Sequence, residues 1–520
     1  MNNVKNNSTF SLGKDLSASI VVFLVALPLC LGVALASGAP LFSGIIAGIV
    51  GGIVTGLLSG SQLSVSGPAA GLTVIVASAI STLPNYQYFL VAVVLAGFMQ
   101  IVFGLLKAGI IGNFFPNSVI KGMLSAIGII LILKQFPHAL GYDNDVEGDE
   151  EFIQPDGHNT FSEFFDLFDN LTLGCIIISL CTALILFLWD TKFIKNSFFK
   201  NTPGALIAVL VGTLLSYTFT DYDTILKLEP KHLVNLPVSS NFSNFSSQFI
   251  FPDFANGLQS SQVWIIAITI SIVASLESLL SIEATDKLDP LKRITPLNRE
   301  LFAQGAGNIL SGSLGGIPIT AVIVRSSANI IGGAQSKLST ILHGLLLLTS
   351  VIFIPILLNF IPLSTLAVIL IFTGYKLAKP SIFKEIYAKG RDSFVPFIVT
   401  IIAILFSDLL KGIAFGMFVG IIYVFRSNIK LAIIVTNDEK KYLVRFIKDV
   451  TFFNKAFLRN FFRTLPSESS VVIDMRKPVF VDDDIIDVIE EFKTTSISQN
   501  VKLEILEDLH HSNFNKTKIQ

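Results

Sequence analysis

The chain has 520 residues, of which 52% are hydrophobic and 14% charged, and its mean hydropathy is +0.68. Soluble domains carry about 25% charged residues, so this composition excludes an ordinary soluble protein and indicates one that crosses a membrane many times. The net charge of −1 gives no basis for nucleic-acid binding, and three cysteines without metal-ligand spacing exclude a disulfide framework.

A cytoplasmic tail, residues 1–16, is followed by a predicted membrane domain over residues 17–428. The third and tenth of its apolar segments are shorter than the ~20 residues that a spanning helix needs. Half-length spans are tolerated only where protein covers their ends or where they line a cavity. The fourteen predicted segments are 17–37, 41–59, 67–81, 88–109, 114–134, 171–189, 203–219, 262–281, 297–311, 319–332, 338–360, 363–378, 394–408 and 411–427.

The two short segments have similar sequences in matching positions of two halves, about 17–220 and 261–428. In the first, Ser59-Gly60-Ser61 precedes QLSVSGPAAGLTVIVAS, and Pro68 opens a short apolar run. In the second, GGIPITAVIVRSSANI begins at Gly315, and we predict a helix from about Ile319. Such interrupted spans indicate the binding site of a transporter. Seven spans per half force an inverted repeat, so the two helix starts should meet near the bilayer middle.

The residues at these two starts suit an anion. A helix start leaves four backbone N–H groups unsatisfied and carries about half a positive charge. Small residues at 67 and 69–71 let an ion approach the backbone, and Ser66 and Thr320 add hydroxyl donors. Arg325 adds a planar charged fork that fits an oxyanion. Tight helix packing is the alternative role for the small residues, and an internal ion pair is the alternative for Arg325.

Glu277 is a second charge within an apolar segment, and Ser281 lies one helical turn after it. A carboxylate in a membrane must be protonated, paired or bound to a cation. We therefore expect Glu277 and Ser281 to form a coupling site for H⁺ or Na⁺. A static ion pair between Glu277 and Arg325 is the alternative.

The positive charges set the orientation. With a cytoplasmic N-terminus, the loops that carry Lys and Arg fall inside, whereas loop 139–170 has ten acidic residues and no Lys or Arg and falls outside. Both termini are then cytoplasmic, and we expect a bacterial-type inner membrane location. The acidic loop is interpreted as a solvated surface, with a vestibule that attracts cations as the alternative.

The sequence contains no constellation typical of catalysis. The six histidines are scattered, and we interpret His343, which falls within a span, as a packing residue. No phosphate-binding loop with its lysine is present, so neither ATP nor another cofactor is predicted, and the protein is not expected to be an enzyme.

After Arg426 the composition changes to that of a small cytoplasmic α/β domain, residues 436–510, with a polar tail at 511–520. Alternating or continuous apolar runs predict strands at 442–452, 470–475 and 501–506, and helices at 454–465 and 483–492.

Five stretches together resemble the SulP family of inorganic anion transporters, including sulfate permeases. They are VSGPAAGL (65–72), SVIKGMLSAIG (118–128), LESLLSIEATDKLD (276–289), NRELFAQGAGNILSGSLGGIP (298–318) and VRSSANIIGGA (324–334). The C-terminal segment resembles the STAS domain of that family. The resemblance implies a seven-plus-seven inverted repeat divided into core and gate domains, an elevator-like mechanism and a homodimer.

The resemblance also implies a site for the anion between the third and tenth helix starts. Its residues correspond to Ser66, Gly67, Pro68 and Ala69 in the third segment and to Thr320, Ala321, Val322 and Arg325 in the tenth. Sodium-coupled bicarbonate members hold Na⁺ with a carboxylate and a hydroxyl at the spacing of Glu277 and Ser281. Sodium coupling, proton coupling and exchange all stay open.

Two departures from the family pattern affect the substrate and the regulation. The first span, ALPLCLGVALASG, lacks the glutamine pattern common among sulfate permeases, which leaves bicarbonate or another small anion as well as sulfate. The STAS-like segment has FVDDD (480–484) where some relatives present a phosphorylatable serine, so we expect scaffolding or dimer contact there. The alternative functions are a passive anion channel or exchanger and a nucleobase-type carrier of the same fold class.

Overall fold

The computed structural model describes residues 12–143, 171–191, 203–221, 226–235, 248–430 and 432–506. Most of the predicted acidic loop, the N-terminal residues 1–11 and the polar tail therefore lie outside the described residues. The chain divides into two compact units, residues 1–417 and 418–520, and each is described by itself.

Every predicted apolar segment of the first half contains a helix. Proline or asparagine precedes several of them, as is common where helices begin. The seven helices are α1 (Leu12–Ala36), α2 (Leu41–Leu58), α3 (Thr73–Thr82), α4 (Tyr86–Leu105), α5 (Asn117–Leu140), α6 (Leu173–Trp189) and α7 (Gly204–Asp221).

The second half repeats this series. Its helices are α8 (Ser261–Leu288), α9 (Leu297–Ser313), α10 (Ile323–Ile331), α11 (Leu338–Phe353), α12 (Leu363–Leu377), α13 (Arg391–Leu405) and α14 (Leu409–Lys430). Short helices at Phe254–Gly257, Pro355–Leu358 and Pro380–Ala388 lie between them. Six helical stretches of the described chain are long and apolar enough to cross a membrane: Leu12–Ala36, Leu41–Leu58, Tyr86–Leu105, Asn117–Leu140, Ser261–Leu288 and Leu363–Ala388.

The helices pack in two groups with a repeated pattern. Helices α1–α4 and α8–α11 form one group, in which α8 packs on α4 as α1 packs on α11. Helices α5–α7 and α12–α14 form the other, in which α5 and α12 are counterparts that pack on each other. The predicted fold class, an inverted repeat with core and gate domains, is confirmed.

The predicted starts of the third and tenth segments are corrected. Strand β1 (Ser66–Pro68) precedes α3, with a 3₁₀ turn at Ala70–Leu72 between them, and strand β2 (Ile319–Ala321) precedes α10. The predicted helix start at Ile319 is therefore wrong by four residues, because α10 begins at Ile323. Pro68 disfavours helical geometry at the residue before it, and the β-branched Ile319 and Thr320 favour extended backbone.

The second unit has a four-stranded sheet in the order β3-β4-β5-β6. Strands β3 and β4 are antiparallel, whereas β4, β5 and β6 are parallel. Strand β3 was not predicted, and it begins before the predicted domain boundary at 436. The elements are β3 (Ile433–Asp438), β4 (Lys441–Phe446), α15 (Lys455–Arg463), β5 (Ser470–Asp474), α16 (Asp483–Ser498) and β6 (Lys502–Leu506).

Aromatic packing and an acidic cap stabilise this domain. The rings of Phe462 and Phe492 stack with centroids 4.0 Å apart, which joins α15 to α16. In the FVDDD stretch, the Asp482 side chain caps α16 by accepting a hydrogen bond from the backbone N–H of Asp484. Acidic residues are favoured at a helix start by the capping bond and the helix dipole, so a structural role accounts for this stretch.

Candidate functional site

Strands β1 and β2 form a two-stranded antiparallel ribbon, although 253 residues of sequence separate the paired positions Gly67 and Thr320. Ser66 lies opposite Ala321, and Pro68 lies opposite Ile319. Because the strands are antiparallel, α3 leaves one end of the ribbon and α10 leaves the other. The two helix starts therefore flank one buried ribbon.

The ribbon brings together the predicted anion-binding residues. Ser66, Gly67, Pro68, Thr320 and Ala321 all lie on it and are all buried. Ala69 and Val322 follow directly, and the backbone N–H of Val322 extends the pairing by donating to Val65 O at 2.9 Å. Their role in binding stays a prediction.

Arg325 lies in the first turn of α10 and is 0% exposed. Its Nη2 donates to the carbonyl oxygen of Pro68 at 3.3 Å. A Cβ built on Gly67 would lie 2.0 Å from Nη1, so the guanidinium occupies the space that a side chain at position 67 would need. Nε and Nη1 have no oxygen or nitrogen partner in the described part of the chain, and the Cys30 thiol lies within reach of the guanidinium. Leaving buried charged donors unsatisfied is costly, so this side of the guanidinium is suited to an anionic acceptor.

Helix α9 holds strand β2 through a side chain that the sequence analysis missed. The buried Asn308 accepts a hydrogen bond from Ile319 N–H at 2.7 Å and donates to Ile319 O at 3.0 Å. It also donates to Gln100 on α4 at 2.7 Å. One amide thus satisfies both backbone groups of a ribbon residue.

The same helix holds strand β1. Gln304, one turn before Asn308, donates to Ser66 Oγ at 2.8 Å and to Glu300 Oε1 at 2.7 Å. The other carboxylate oxygen of Glu300 accepts from Ser59 Oγ at 2.5 Å. One signal in the stretch NRELFAQGAGN could have identified these residues. Its polar residues Glu300, Gln304 and Asn308 recur every four positions, which places them on one helix face.

Helix α2 supports the opposite side of the ribbon. A π-helical turn, Gly51–Thr55, interrupts it where it passes β1. A Cβ on Gly51 would lie 2.4 Å from the carbonyl oxygen of Ser66, so only glycine permits this approach. Such π turns are frequent at functional sites.

The predicted coupling residues lie on α8, the helix that contacts strand β2. Glu277 and Ser281 are 5% and 4% exposed. A Cβ on Gly71 would lie 3.0 Å from Glu277 Oε1, so the carboxylate borders the turn that leads into α3. The neighbouring Ser278 accepts a hydrogen bond from Ala321 N–H at 3.2 Å, which ties α8 to β2. Glu277 thus borders the start of α3, whereas Arg325 extends from α10 against Gly67 and Pro68.

Comparison with known proteins places the chain among anion transporters. A family model described as the sulfate permease family matches residues 12–402. The "Putative sulfate transporter YvdB" of Bacillus subtilis (strain 168) is 28% identical over 424 residues, which cover 79% of this chain and 73% of that protein. The bicarbonate transporter BicA of Picosynechococcus sp. is 26% identical over 419 residues, 78% of this chain and 69% of that protein.

A solved structure agrees with the fold over nearly the whole chain. The murine Solute Carrier 26 family member A9 anion transporter superposes with a TM-score of 0.65 at 14% identity, covering 98% of this chain and 88% of that one. At this identity the likeness concerns the fold alone. It extends over the C-terminal unit, whose mixed sheet fits a STAS-like domain.

Proposed function

The chain belongs to the sulfate permease family, and we propose that it is a secondary active transporter of small inorganic oxyanions, sulfate or bicarbonate, across the inner membrane. The observation that carries this proposal is the buried ribbon with a helix start at each end and Arg325 against it. The unsatisfied N–H groups of α3 and α10 and the two unpartnered nitrogens of Arg325 would replace the water around the anion.

Both oxyanions fit this chemistry. One relative is named for sulfate and another for bicarbonate, and the residues at the ribbon do not distinguish a dianion from a monoanion. The segment ALPLCLGVALASG lacks the glutamine pattern common among sulfate permeases, so bicarbonate and sulfate are proposed as substrates on equal terms. The substrate class is therefore a small tetrahedral or planar oxyanion.

The packing supports alternating access of the elevator type. The ribbon and the helices that contact it, among them α1, α2, α8 and α9, all belong to the group formed by α1–α4 and α8–α11. A movement of this group against α5–α7 and α12–α14 would carry the whole site without rearranging its hydrogen bonds. Inverted repeats commonly work by such rigid-body motion around a fixed site.

Coupling to H⁺ or Na⁺ is assigned to Glu277 and Ser281. Their positions one turn apart on α8 give a carboxylate and a hydroxyl oxygen on one face, beside the start of α3. Carboxylate and hydroxyl oxygens are suitable ligands for a hard cation, and a buried carboxylate can instead carry a proton. We further propose a homodimer with both termini cytoplasmic.

The test is uptake of radiolabelled sulfate and bicarbonate into proteoliposomes, with each anion as competitor of the other. Arg325→Gln should raise the KM for the transported anion by roughly tenfold or more, because a charge-assisted contact is lost. Arg391→Gln, which removes an exposed arginine at the start of α13, is the matched control and should leave uptake unchanged. Intact protein that transports no oxyanion would contradict the proposal, and currents far above ~10³ ions per second would favour a channel.

A further inference from the structure

Two histidines that are far apart in sequence share one buried carboxylate. His138 Nδ1 lies 2.6 Å from Asp143 Oδ1, and His232 Nδ1 lies 2.5 Å from Asp143 Oδ2. The three side chains are 3%, 2% and 2% exposed, for His138, Asp143 and His232 respectively. The sequence analysis treated the histidines as scattered, and the fold corrects that view for these two.

Backbone geometry fixes this cluster. Helix α5 ends at Gly141, whose φ of +84° lets the chain turn so that Asp143 faces His138 in the last turn. His232 lies in the turn Pro230–His232 after α7, and Val234 N–H in the same segment donates to Ile361 O at 3.0 Å. The cluster therefore joins the end of α5 to the segment that lies against the start of α12.

The cluster can change its charge without losing its hydrogen bonds. Each imidazole donates from Nδ1 to Asp143 both as a neutral ring and as a cation. Burial would raise the pKa of Asp143, but the hydrogen bonds from the two histidines outweigh it and hold the pKa below its usual value. Each imidazole has its Nδ1 on Asp143 and can take up a further proton at Nε2 without losing that bond, so the histidines are where the cluster can gain protons. The cluster then passes from −1 to 0 and to +1.

Asp143 also lines a cavity of about 570 Å³. On one side the cavity is bordered by the face of α1 that carries Pro28, Gly32 and Leu35. The same helix carries Cys30, and a Cβ on Gly48 would lie 2.6 Å from Cys30 Sγ and 4.0 Å from Arg325 Nη1. The cavity thus lies along one face of α1, and Cys30, which does not line it, lies on the same helix near the guanidinium of the candidate site.

Asp143 and Lys231 are the ionisable residues among the described ones that line the cavity. Lys231, which lines the cavity, pairs with Glu229 at 2.9 Å. Cys175 on α6 and Tyr142 lie near Asp143, and Lys134 lies one turn before His138 on α5. The lining residues from α1 and α12 are apolar: Pro28, Leu31, Gly32, Leu35 and Leu363. The sign of the charge that faces the cavity therefore depends on the cluster.

We propose that His138, Asp143 and His232 form a proton-binding site in the wall of the outer cavity, and that protonation from outside favours entry of the anion. This inference rests on the proposed transport function and on the predicted orientation, which puts the end of α5 outside. With both histidines neutral, the net negative charge of the wall repels an approaching anion, and one bound proton removes that repulsion.

The experiment measures initial anion uptake by intact cells at external pH 5.5 to 8, with the internal pH buffered. In the wild-type chain, the apparent KM should rise roughly two- to fivefold as the external pH increases across this range, because the wall regains its negative charge. Asp143→Asn keeps the size of the side chain but removes the negative charge; its amide oxygen accepts from one imidazole, and its amide nitrogen donates to the other, which then carries its proton on Nε2. Its KM should stay low, and nearly constant, over this range. His232→Gln should reduce the pH response and serves as the second variant if Asp143→Asn does not fold.

Glu229→Gln is the matched control: it removes an exposed carboxylate next to His232 and leaves Lys231 without that partner, so the KM should fall by a similar factor at every pH while the pH response stays that of the wild type. A full pH response in folded Asp143→Asn or in folded His232→Gln would overturn the inference, as would loss of proton-driven accumulation in these variants, which would make the cluster a coupling site. Absence of uptake by the wild-type chain at every pH would instead contradict the proposed function.

Discussion

Gly67 and Arg325 depend on each other at the candidate site. The guanidinium lies where a Cβ at position 67 would be, 2.0 Å from Nη1, and Nη2 bonds to the next residue, Pro68. Gly67→Ala should displace the guanidinium, because a fully buried side chain has little free space to move into. Anion uptake should fall roughly tenfold or more, while the change in thermal stability stays modest, at about 1–3 kcal/mol.

Gly13→Ala is the control for this substitution, since a Cβ at position 13 meets nothing within 4 Å. Uptake in proteoliposomes and the unfolding temperature of the purified protein are measured together for both variants. Unchanged uptake in Gly67→Ala would show that the position of the guanidinium does not matter for transport.

Glu277 allows a separate test, because gradient-driven accumulation reports ion coupling, whereas exchange of internal for external anion reports anion binding and transport. Glu277→Gln keeps the size of the side chain but cannot carry a proton reversibly or neutralise a cation. Accumulation driven by an imposed H⁺ or Na⁺ gradient should be lost, whereas exchange of internal for external anion should be retained. Uptake and counterflow are measured in the same proteoliposome preparation.

Glu283→Gln is the matched control on the same helix. Glu283 pairs with Lys287 at 2.9 Å, nearer the end of α8, and it should be dispensable for coupling. If Glu277→Gln still accumulates the anion at the wild-type level, the coupling site lies elsewhere.

The sequence predicted the residues of the ribbon but not the residues that hold it. Motifs around Pro68 and Arg325 identified the two places where a strand leads into a short helix. They stood out because glycine, proline and an intramembrane arginine are unusual in apolar spans. Asn308 and Gln304 were missed, as was the pairing of His232 with Asp143, because each bonds to a partner that is distant along the chain. Single-sequence patterns report local periodicity and carry no information about such partners.

At the scale of elements, α3 and α10 are too short to cross a membrane alone. They contain ten and nine residues, whereas about 20 residues are needed to cross a hydrocarbon core of about 30 Å. The extended segments with β1 and β2 supply the remaining length. Non-helical backbone at membrane depth requires partners for every N–H and C=O, and the ribbon, α8 and α9 supply several of them.

Asn308→Leu tests whether α9 stabilises this backbone. The substitution leaves Ile319 N–H and C=O without their side-chain partner in a buried site, so the free energy of unfolding should fall by about 2–4 kcal/mol. Thermal unfolding in detergent, followed by intrinsic fluorescence, measures this effect. Residual transport by the folded fraction should have a raised KM, because the helix starts are no longer fixed relative to each other.

Ser313→Ala is the control on the same helix, since Ser313 Oγ bonds only within α9, to Ile309 O at 2.6 Å. Stability should change by less than about 0.5 kcal/mol. Equal losses of stability in both variants would mean that the contacts to β2 have no special importance.

Hydropathy predicted the fourteen helical segments, but it could not predict strands of three residues. Apolar length reports burial in the bilayer, which is why each predicted segment of the membrane domain contains a helix. Strands β1 and β2 exist only because they pair with each other, and that pairing depends on the inverted repeat. Strand β3 was missed because the six residues, Ile433–Asp438, directly follow a long helix and are largely exposed.

At the scale of the whole molecule, the repeat relates residues that differ in chemistry. Helices α1 and α8 occupy equivalent positions, on α11 and α4 respectively, yet α8 carries Glu277 beside the ribbon and α1 carries Cys30 near Arg325. The symmetry of the backbone thus creates two similar helix starts, and the side chains make them unequal.

An odd number of spans in each half leads to a topology that can be measured directly. A reporter fused after residue 221 follows seven helices, and one fused after residue 430 follows fourteen. If each strand-helix segment crosses the membrane once, the first fusion should place the reporter outside and the second should place it in the cytoplasm. Alkaline phosphatase, active only outside, and a fluorescent protein that folds in the cytoplasm give opposite signals at each position.

A fusion after residue 105 is the control that isolates α3. Four segments precede this position, so the reporter should be cytoplasmic; without a crossing at β1 and α3 only three would precede it, and the reporter should be outside. The positive-inside rule makes the same prediction independently, because Lys107 follows directly. Reporters on the same side at 221 and 430 would rule out the inverted repeat in the membrane. They would also rule out the opposed starts of α3 and α10 on which the anion site depends.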